Sequence, residues 1–464
     1  MIGRSTAKLM RVIALVLPAI NHLRLAAAII RWRRLLRGFA AAGLIVGHPV
    51  VAQELVTQQT ALDLSEAARE AVSWHPSIVE AAGRLNAQEQ RISEVRAGLY
   101  PQISGGIGSG YDSTLRGGFR PSANLSVDQR LFDFGKLDSE LDSERAGTRA
   151  ARAQVLLSVD AIVRDTSYSM IEILRGQSLL EAAREQLGRV RIISELVDAR
   201  YQRGAITRSD AFQTQSRVDA AQSTIQQIEA EYLRWQSNLA YLLGREDTPA
   251  VEPSLPNALN VACAVLDVQW NEAPALQEAQ ARLEQAEAQA RRERADRMPT
   301  ISLGAGASRD LLDPLGNDRG RYDFGLRVNS SIFNGGASSA RVRGAEFAQQ
   351  AALAAANNAR LNSERGLAEA RSQVGALAER TDTLRRRFRI MEQTRELYRL
   401  QYLELGTRTL VDLLNADQEL SQIRFEEVNA RFDLARLGVD CLYATGRLRS
   451  ELGLGGMTVE GVPL

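Results

Sequence analysis

The chain predicts a mainly α-helical fold with a smaller β part of transmembrane type, built from one module used twice. Three observations carry this. Sequence segments return after about 200 residues, each copy holds two stretches of period-two alternation, and each copy continues into a very long helical segment free of proline. Leu99-Tyr100-Pro101-Gln102-Ile103-Ser104 returns as Arg297-Met298-Pro299-Thr300-Ile301-Ser302, and Leu131-Phe132-Asp133-Phe134-Gly135 returns as Ile332-Phe333-Asn334-Gly335-Gly336. Residues 204–210 return as 406–412, so the interval drifts only from 198 to 202 and the drift falls in the connections. With aromatics at 5% of 464 residues and alanine dominating the long segments, the composition suits helices lying side by side better than a thick globular core.

Residues 1–52 hold eight Lys or Arg and no Asp or Glu, then an apolar run at 39–46 and the small-residue site Val50-Val51-Ala52. This reads as a secretory signal peptide behind an over-extended start. An uncleaved anchor is the competing reading, but the apolar run is short for a bilayer. Removing the segment leaves 49 basic against 56 acidic residues, a net charge of −7, which argues against nucleic acid as a partner. Past residue 52 the chain has one histidine, His75, and two cysteines, Cys263 and Cys441. That inventory supplies no metal cluster and argues against an enzyme, so no cofactor is expected. A Cys263–Cys441 disulfide is chemically permitted in an oxidising compartment, and two separate buried thiols are the equal alternative. Neither cysteine adjoins the cleavage site, so no lipid anchor is indicated.

The elements follow in order. A short helical lead-in at 62–74 precedes two helices that open on proline, at 76–97 and 274–296, where proline is tolerated and pre-sets the first turn. Alternation then begins. Odd positions are the apolar ones in Ile103, Gly105, Ile107 and in Ala123, Leu125, Val127, and the second copy gives Ile301, Leu303, Ala305 against Tyr322, Phe324, Leu326, Val328 in the same manner. Such segments of about ten residues have the pattern of membrane-spanning β-hairpins. A hairpin packed on a soluble core shows the same alternation. Four strands cannot close a barrel, and an open edge in lipid leaves backbone groups unpaired, so membrane entry requires several copies of the chain.

Long helices are expected at 136–203 and 337–405, each on the order of 100 Å at 1.5 Å per residue. Their distal parts carry a heptad in equivalent registers: Leu180, Ala183, Leu187, Val190, Ser194, Val197, Tyr201, and Thr381, Leu384, Phe388, Met391, Arg395, Tyr398, Tyr402. Short turns at Gly204-Ala205-Ile206-Thr207 and Gly406-Thr407-Arg408-Thr409 lead into return helices at 208–243 and 410–443, forcing antiparallel helical hairpins. The domain plan is therefore a signal peptide at 1–52 and a first repeat at 53–245, with its β-hairpin at about 101–132 and helical hairpin at about 136–243. A proline-bearing connector at 246–273 leads to a second repeat at 274–446, with its β-hairpin at about 299–333 and helical hairpin at about 337–443, and a flexible tail fills 447–464.

A leader, duplicated β-hairpins and two long helical hairpins in this order resemble the TolC family of outer-membrane factors across nearly all of the mature chain. Gly406-Thr407-Arg408-Thr409-Leu410-Val411-Asp412-Leu413-Leu414-Asn415-Ala416 resembles that family's periplasmic tip, and Gly204-Ala205-Ile206-Thr207-Arg208-Ser209-Asp210 resembles its first-repeat counterpart. The resemblance implies a homotrimer in which a helical α-barrel continues a 12-stranded β-barrel, four strands from each protomer, set in outer-membrane lipid and extending into the periplasm. It further implies a passive exit duct of a tripartite system with a periplasmic adaptor (membrane fusion protein) and an inner-membrane transporter, ABC-type or proton-driven. The cargo is then a secreted polypeptide or a small toxic compound, and the missing lipidation cysteine leans toward the former.

By position, Arg408 resembles the arginine of the family's gate latch, with Ser209 and Asp210 as its acceptors and a charge-assisted Arg408–Asp210 bond as the expected contact. Two solvated charges at helix ends are the bland alternative. Asp412 resembles part of an acidic constriction ring, while Asn415 stands where the family has a second acidic residue, and Leu403 replaces a latch tyrosine beside Tyr402. Both turns, Gly204 to Thr207 and Gly406, Thr407, Thr409, are expected to dock the adaptor. A secreted coiled-coil scaffold without a pore is the alternative from another class.

Overall fold

The computed structural model describes residues 61–112, 118–311 and 320–464. The signal-peptide reading of residues 1–52 lies outside the described residues. Helix α1 (Leu64–Trp74) starts at Asp63, whose carboxylate accepts the Glu66 N–H at 2.6 Å, and Pro76 opens α2 (Pro76–Ala97) immediately after it. Strands β1 (Gln102–Asp112) and β2 (Gly118–Phe132) follow, then α3 (Lys136–Gln202) and α4 (Arg208–Leu243). The connector carries the short α5 (Asn257–Val261). The second copy repeats the plan with α6 (Pro274–Ala295), β3 (Thr300–Asp310), β4 (Arg321–Asn329), α7 (Ala337–Leu400) and α8 (Leu410–Thr445). The chain ends in α9 (Leu448–Glu451) and a two-stranded ribbon, β5 (Thr458–Val459) with β6 (Val462–Pro463).

The two β-hairpins join into one antiparallel sheet of order β1-β2-β3-β4, so the copies meet at the β2–β3 pair. Its register decides what the sheet is for. Ile103 lies opposite Val127, Gly105 opposite Leu125 and Ile107 opposite Ala123. Leu125 and Val127 then face Ala307 and Ala305, and Ile301, Leu303, Ala305 and Ala307 face Val328, Leu326, Phe324 and Tyr322. Directly paired residues share a face, so every one of these side chains falls on the same side of the sheet. The other side holds Ser104, Ser126, Asn124, Asp128, Ser302, Asp323 and Arg327, with a Ser104–Ser126 hydroxyl contact at 2.7 Å and an Arg327–Asp128 ion pair at 3.5 Å. On the apolar side Ile107, Tyr322 and Phe324 are 80%, 84% and 77% exposed, and nothing among the described residues covers them. No helix among the described residues is long and apolar enough to cross a membrane.

The helices pack as two long rods, each flanked end to end by shorter partners. α3 lies against α2 and α6 along its first part and against α4 and α8 along its second, and α7 lies against α6 and then α8. The expected heptad stripe is buried on α3 from Leu180 to Val197, with Tyr201 open. On α7 and the turn after it, Thr381, Leu384 and Tyr402 are buried, while Phe388, Met391, Arg395 and Tyr398 are half-buried. One local difference appears at the end of this rod. The α-helix stops at Leu400 and residues Gln401–Leu405 form a π-helical turn, where the sequence pattern reads as unbroken helix.

The main core sits at mid-height, where α4 and α8 end and α2 and α6 begin. Val163, Met170 and Ile171 of α3 meet Leu239 and Leu243 of α4, Val439 and Leu442 of α8, and Ala67, Ala71 and Val72 of α1. The connector is packed here as well. Leu259 of α5 approaches α8 so closely that a Cβ at Gly438 would lie 2.3 Å from its carbonyl oxygen. Cys263 and Cys441 form a disulfide, resolving the alternatives that the sequence leaves open, and the Arg371 guanidinium of α7 donates to the Cys263 carbonyl at 3.0 Å and to that of Val265. The tail corrects an expectation. Instead of being flexible, residues 447–464 are seated on the core, with Leu448, Leu452, Leu454 and Val462 at most 2% exposed. Its glycines make tight turns between apolar anchors, and that burial outweighs their conformational freedom.

The tail is also held by a buried polar contact. Arg449 of α9 pairs with Asp160 of α3 at 2.8 Å, and both side chains are at least nine-tenths buried. Burial pushes the Asp160 carboxyl up to about 7 despite the stabilising arginine. Folded protein therefore keeps a proton on Asp160 that the unfolded chain releases above about pH 4, and stability falls as pH rises from there to about 7. Thermal unfolding of wild type relative to Asp160→Asn across that interval checks this. The wild-type melting temperature should decline against that of the variant, and parallel profiles would exclude Asp160 as the titrating group.

Candidate functional site

The candidate site is the pair of tips where the helical hairpins turn. Gly204 at φ 71 and Gly406 at φ 65 close α3 and the π-helical turn in the left-handed region, which only glycine enters without strain. Ile206 then folds back onto Ile193, Val197, Tyr402, Leu410, Leu413 and Leu414, so one apolar cluster holds both tips together. Ala205, Thr207, Thr407 and Thr409 remain exposed, leaving both turns accessible.

Each return helix begins with the same reciprocal cap. In α4, Thr207 accepts the Asp210 N–H at 3.3 Å, while Asp210 Oδ2 accepts the Thr207 N–H at 3.2 Å and its hydroxyl at 2.8 Å. In α8, Thr409 accepts the Asp412 N–H at 3.2 Å, and Asp412 Oδ2 accepts the Thr409 N–H at 3.2 Å and its hydroxyl at 2.9 Å. These are capping boxes, which satisfy otherwise orphaned N–H groups of the first turn. Both carboxylates singled out by sequence thus have a local structural task. The Thr409 N–H and then its hydroxyl hold the Asp412 carboxyl below the usual carboxylate range, so it remains anionic.

Arg408 is held by its own hairpin. Its guanidinium lies 4.4 Å from the Tyr398 ring centroid, donates to Gln401 Oε1 at 3.4 Å and stands 3.9 Å from Asp412 Oδ2. Ser209 shares a 2.7 Å hydroxyl contact with Thr207. Among the described residues no ion pair joins Arg408 to Asp210, so the expected contact is not made within one chain. Asn415 is drawn toward the other hairpin, where Arg217 of α4 donates to its Oδ1 at 3.4 Å and also to Gln418. Tyr402, beside Leu403, is buried at 8% with the Arg200 guanidinium 4.9 Å from its ring centroid, and Arg200 donates to the Leu403 carbonyl at 3.0 Å.

Two turns into α8 lies a group that sequence reasoning missed. Asp417, 1% exposed, accepts from Arg189 Nε of α3 at 2.8 Å and stands 3.9 Å from Arg395 Nη1 of α7. Arg189 also donates to Ser421 at 2.7 Å. The available signal was Arg395 itself, a charge on an otherwise apolar heptad stripe, which a buried acid must balance.

The profile of the family described as outer membrane efflux protein matches residues 52–245 and 266–437. The chain is 22% identical to outer membrane protein TolC of Salmonella enteritidis over 433 residues, covering 85% of this chain and 84% of that one. It is 26% identical over 425 residues to protein CyaE of Bordetella pertussis, covering 87% and 86%. Among solved structures, CusC, reported in connection with folding and transmembrane channel formation, superposes with a TM-score of 0.75 at 19% identity over 86% of this chain and 95% of that one.

The caps give a direct check. Thr409→Ala should remove about 1 kcal/mol from the start of α8, seen as faster amide exchange in residues 410–413, whereas Thr409→Ser should keep the wild-type rates.

Proposed function

The chain belongs to the outer membrane efflux protein family, and from that premise we propose that it is a passive homotrimeric exit duct opened at its periplasmic tip. The observation that carries this reading is the sheet. Among the described residues its apolar face is uncovered, its opposite face is polar, and the outer edges of β1 and β4 have no strand partner. Lipid suits the first face and water the second, while the edges must find partners because unpaired backbone groups in hydrocarbon cost several kcal/mol each. Three chains would close twelve strands around a lumen, and the helical rods would continue that lumen into the periplasm. A soluble scaffold gives such a face nothing to pack against.

In this reading a periplasmic adaptor docks on the turns at Gly204 to Thr207 and Gly406 to Thr409, and an ABC-type or proton-driven inner-membrane transporter supplies the energy. The cargo is a secreted polypeptide or a small toxic compound. Arg408 latches onto Asp210 and Ser209 of a neighbouring protomer. Its ion pair and hydrogen bond within the chain are long and solvent-exposed, worth about 0–1 kcal/mol, and its stacking on Tyr398 is worth about 0.5–1 kcal/mol more, which a charge-assisted bond to Asp210 would have to exceed. Three copies of Asp412, kept ionised by their caps, form a cation-attracting constriction. Asn415 adds no charge one turn on, which leaves that ring thin.

Fractionation tests the reading first: the protein should sediment with outer membrane and need detergent for extraction, and recovery as soluble periplasmic protein would overturn it. In planar bilayers, Arg408→Ala and Asp210→Ala should each raise single-channel conductance, and unchanged conductance in both would remove the latch. Asp412→Ala should lower cation selectivity, with an unshifted reversal potential counting against the ring.

A further inference from the structure

We propose that the Arg189–Asp417 bond is a clamp within each protomer that keeps the second helical hairpin closed against the first, at a level above the tip residues. The inference rests on the exit-duct reading for its functional meaning, and on the geometry of one buried acid for its substance. Asp417 lies seven residues inside α8, roughly 10 Å from its start. Its two arginines come from different bodies. Arg395 belongs to α7, the other arm of the hairpin that carries Asp417, whereas Arg189 belongs to α3 of the first repeat. The Asp417–Arg395 contact therefore steadies one hairpin, and the 2.8 Å Arg189–Asp417 bond, with the 2.7 Å Arg189–Ser421 bond beside it, ties that hairpin to its neighbour.

The surroundings make this bond selective for the closed arrangement. Leu413 and Leu414 of α8 and Ile193 of α3 pack alongside it, so separating α8 from α3 breaks the ion pair and opens the apolar contact together. Beside the bond, Gln186 and Asp417 line a cavity of about 120 Å³ between α3, α4 and α8. The clamp is thus directional, and its polar and apolar parts are made together in the closed arrangement and lost together on separation.

The two arginines supply the test. Arg189→Met keeps the apolar stem and removes the link between hairpins, Arg395→Met removes only the link within one, and Arg189→Lys keeps the charge. Hydrogen exchange on the full-length protein in detergent should show roughly tenfold faster exchange or more over residues 410–423 in Arg189→Met, unchanged protection in α1, and recovery in Arg189→Lys. Single-channel conductance should rise in Arg189→Met and stay near wild type in Arg395→Met. Wild-type exchange in Arg189→Met, or equal loosening from Arg395→Met, would overturn the clamp. Should wild-type protein form no channels, the duct reading fails, and the exchange comparison still decides whether the bond holds the hairpins together.

Discussion

Backbone N–H and C=O groups must be paired wherever water is absent, and the rest of this structure depends on that constraint. The four strands expose a continuous apolar face and stop at two open edges, an arrangement with no stable resting place for a single chain in either water or lipid. Each copy of the module brings one hairpin, and the β2–β3 pairing turns two hairpins into a sheet whose apolar residues all agree in side. A slip of one residue at that junction would send Leu125 and Val127 to the polar face while Leu303 and Leu326 stayed behind, so the duplication works only with this register.

The helical part faces the opposite difficulty. Rods of 67 and 64 residues are too polar to be stable by themselves and too slender to contain a core. Their stability is concentrated at mid-height, where α1, the connector and the C-terminal tail wrap the junctions between shorter helices. Toward the tips the packing thins to small apolar clusters with single polar bridges, such as Arg217 to Asn415 and Arg189 to Asp417. The molecule is thus anchored at its middle and lightly held at its end.

Much of this was legible in sequence. The paired prolines at Pro76 and Pro274, the strand alternation and the stripe from Leu180 to Val197 announce their elements because each reports a local rule of backbone geometry or burial. What was not legible depended on distant partners. Nothing near Leu448 or Leu454 reveals that α3 and α8 are waiting to receive them, so a glycine-containing tail reads as loose. Asp417 looks like one more surface acid until Arg189, 228 residues earlier, is brought to it. The capping boxes are a different case: Thr207 with Asp210 and Thr409 with Asp412 have the required spacing in plain view, and each cap is as local as the paired prolines.

The disulfide has a topological consequence. Cys263 and Cys441 are 178 residues apart, and the chain between them contains α6, both strands of the second hairpin, α7 and most of α8. Once the bond forms, that stretch is a closed ring of polypeptide, while the first repeat remains an open chain threaded from its side. Oxidation before membrane insertion would oblige β3 and β4 to enter the bilayer as a loop with both ends already fixed. A single cut anywhere between Cys263 and Cys441 would then nick the ring without releasing a fragment, and the two pieces would part only under reducing conditions.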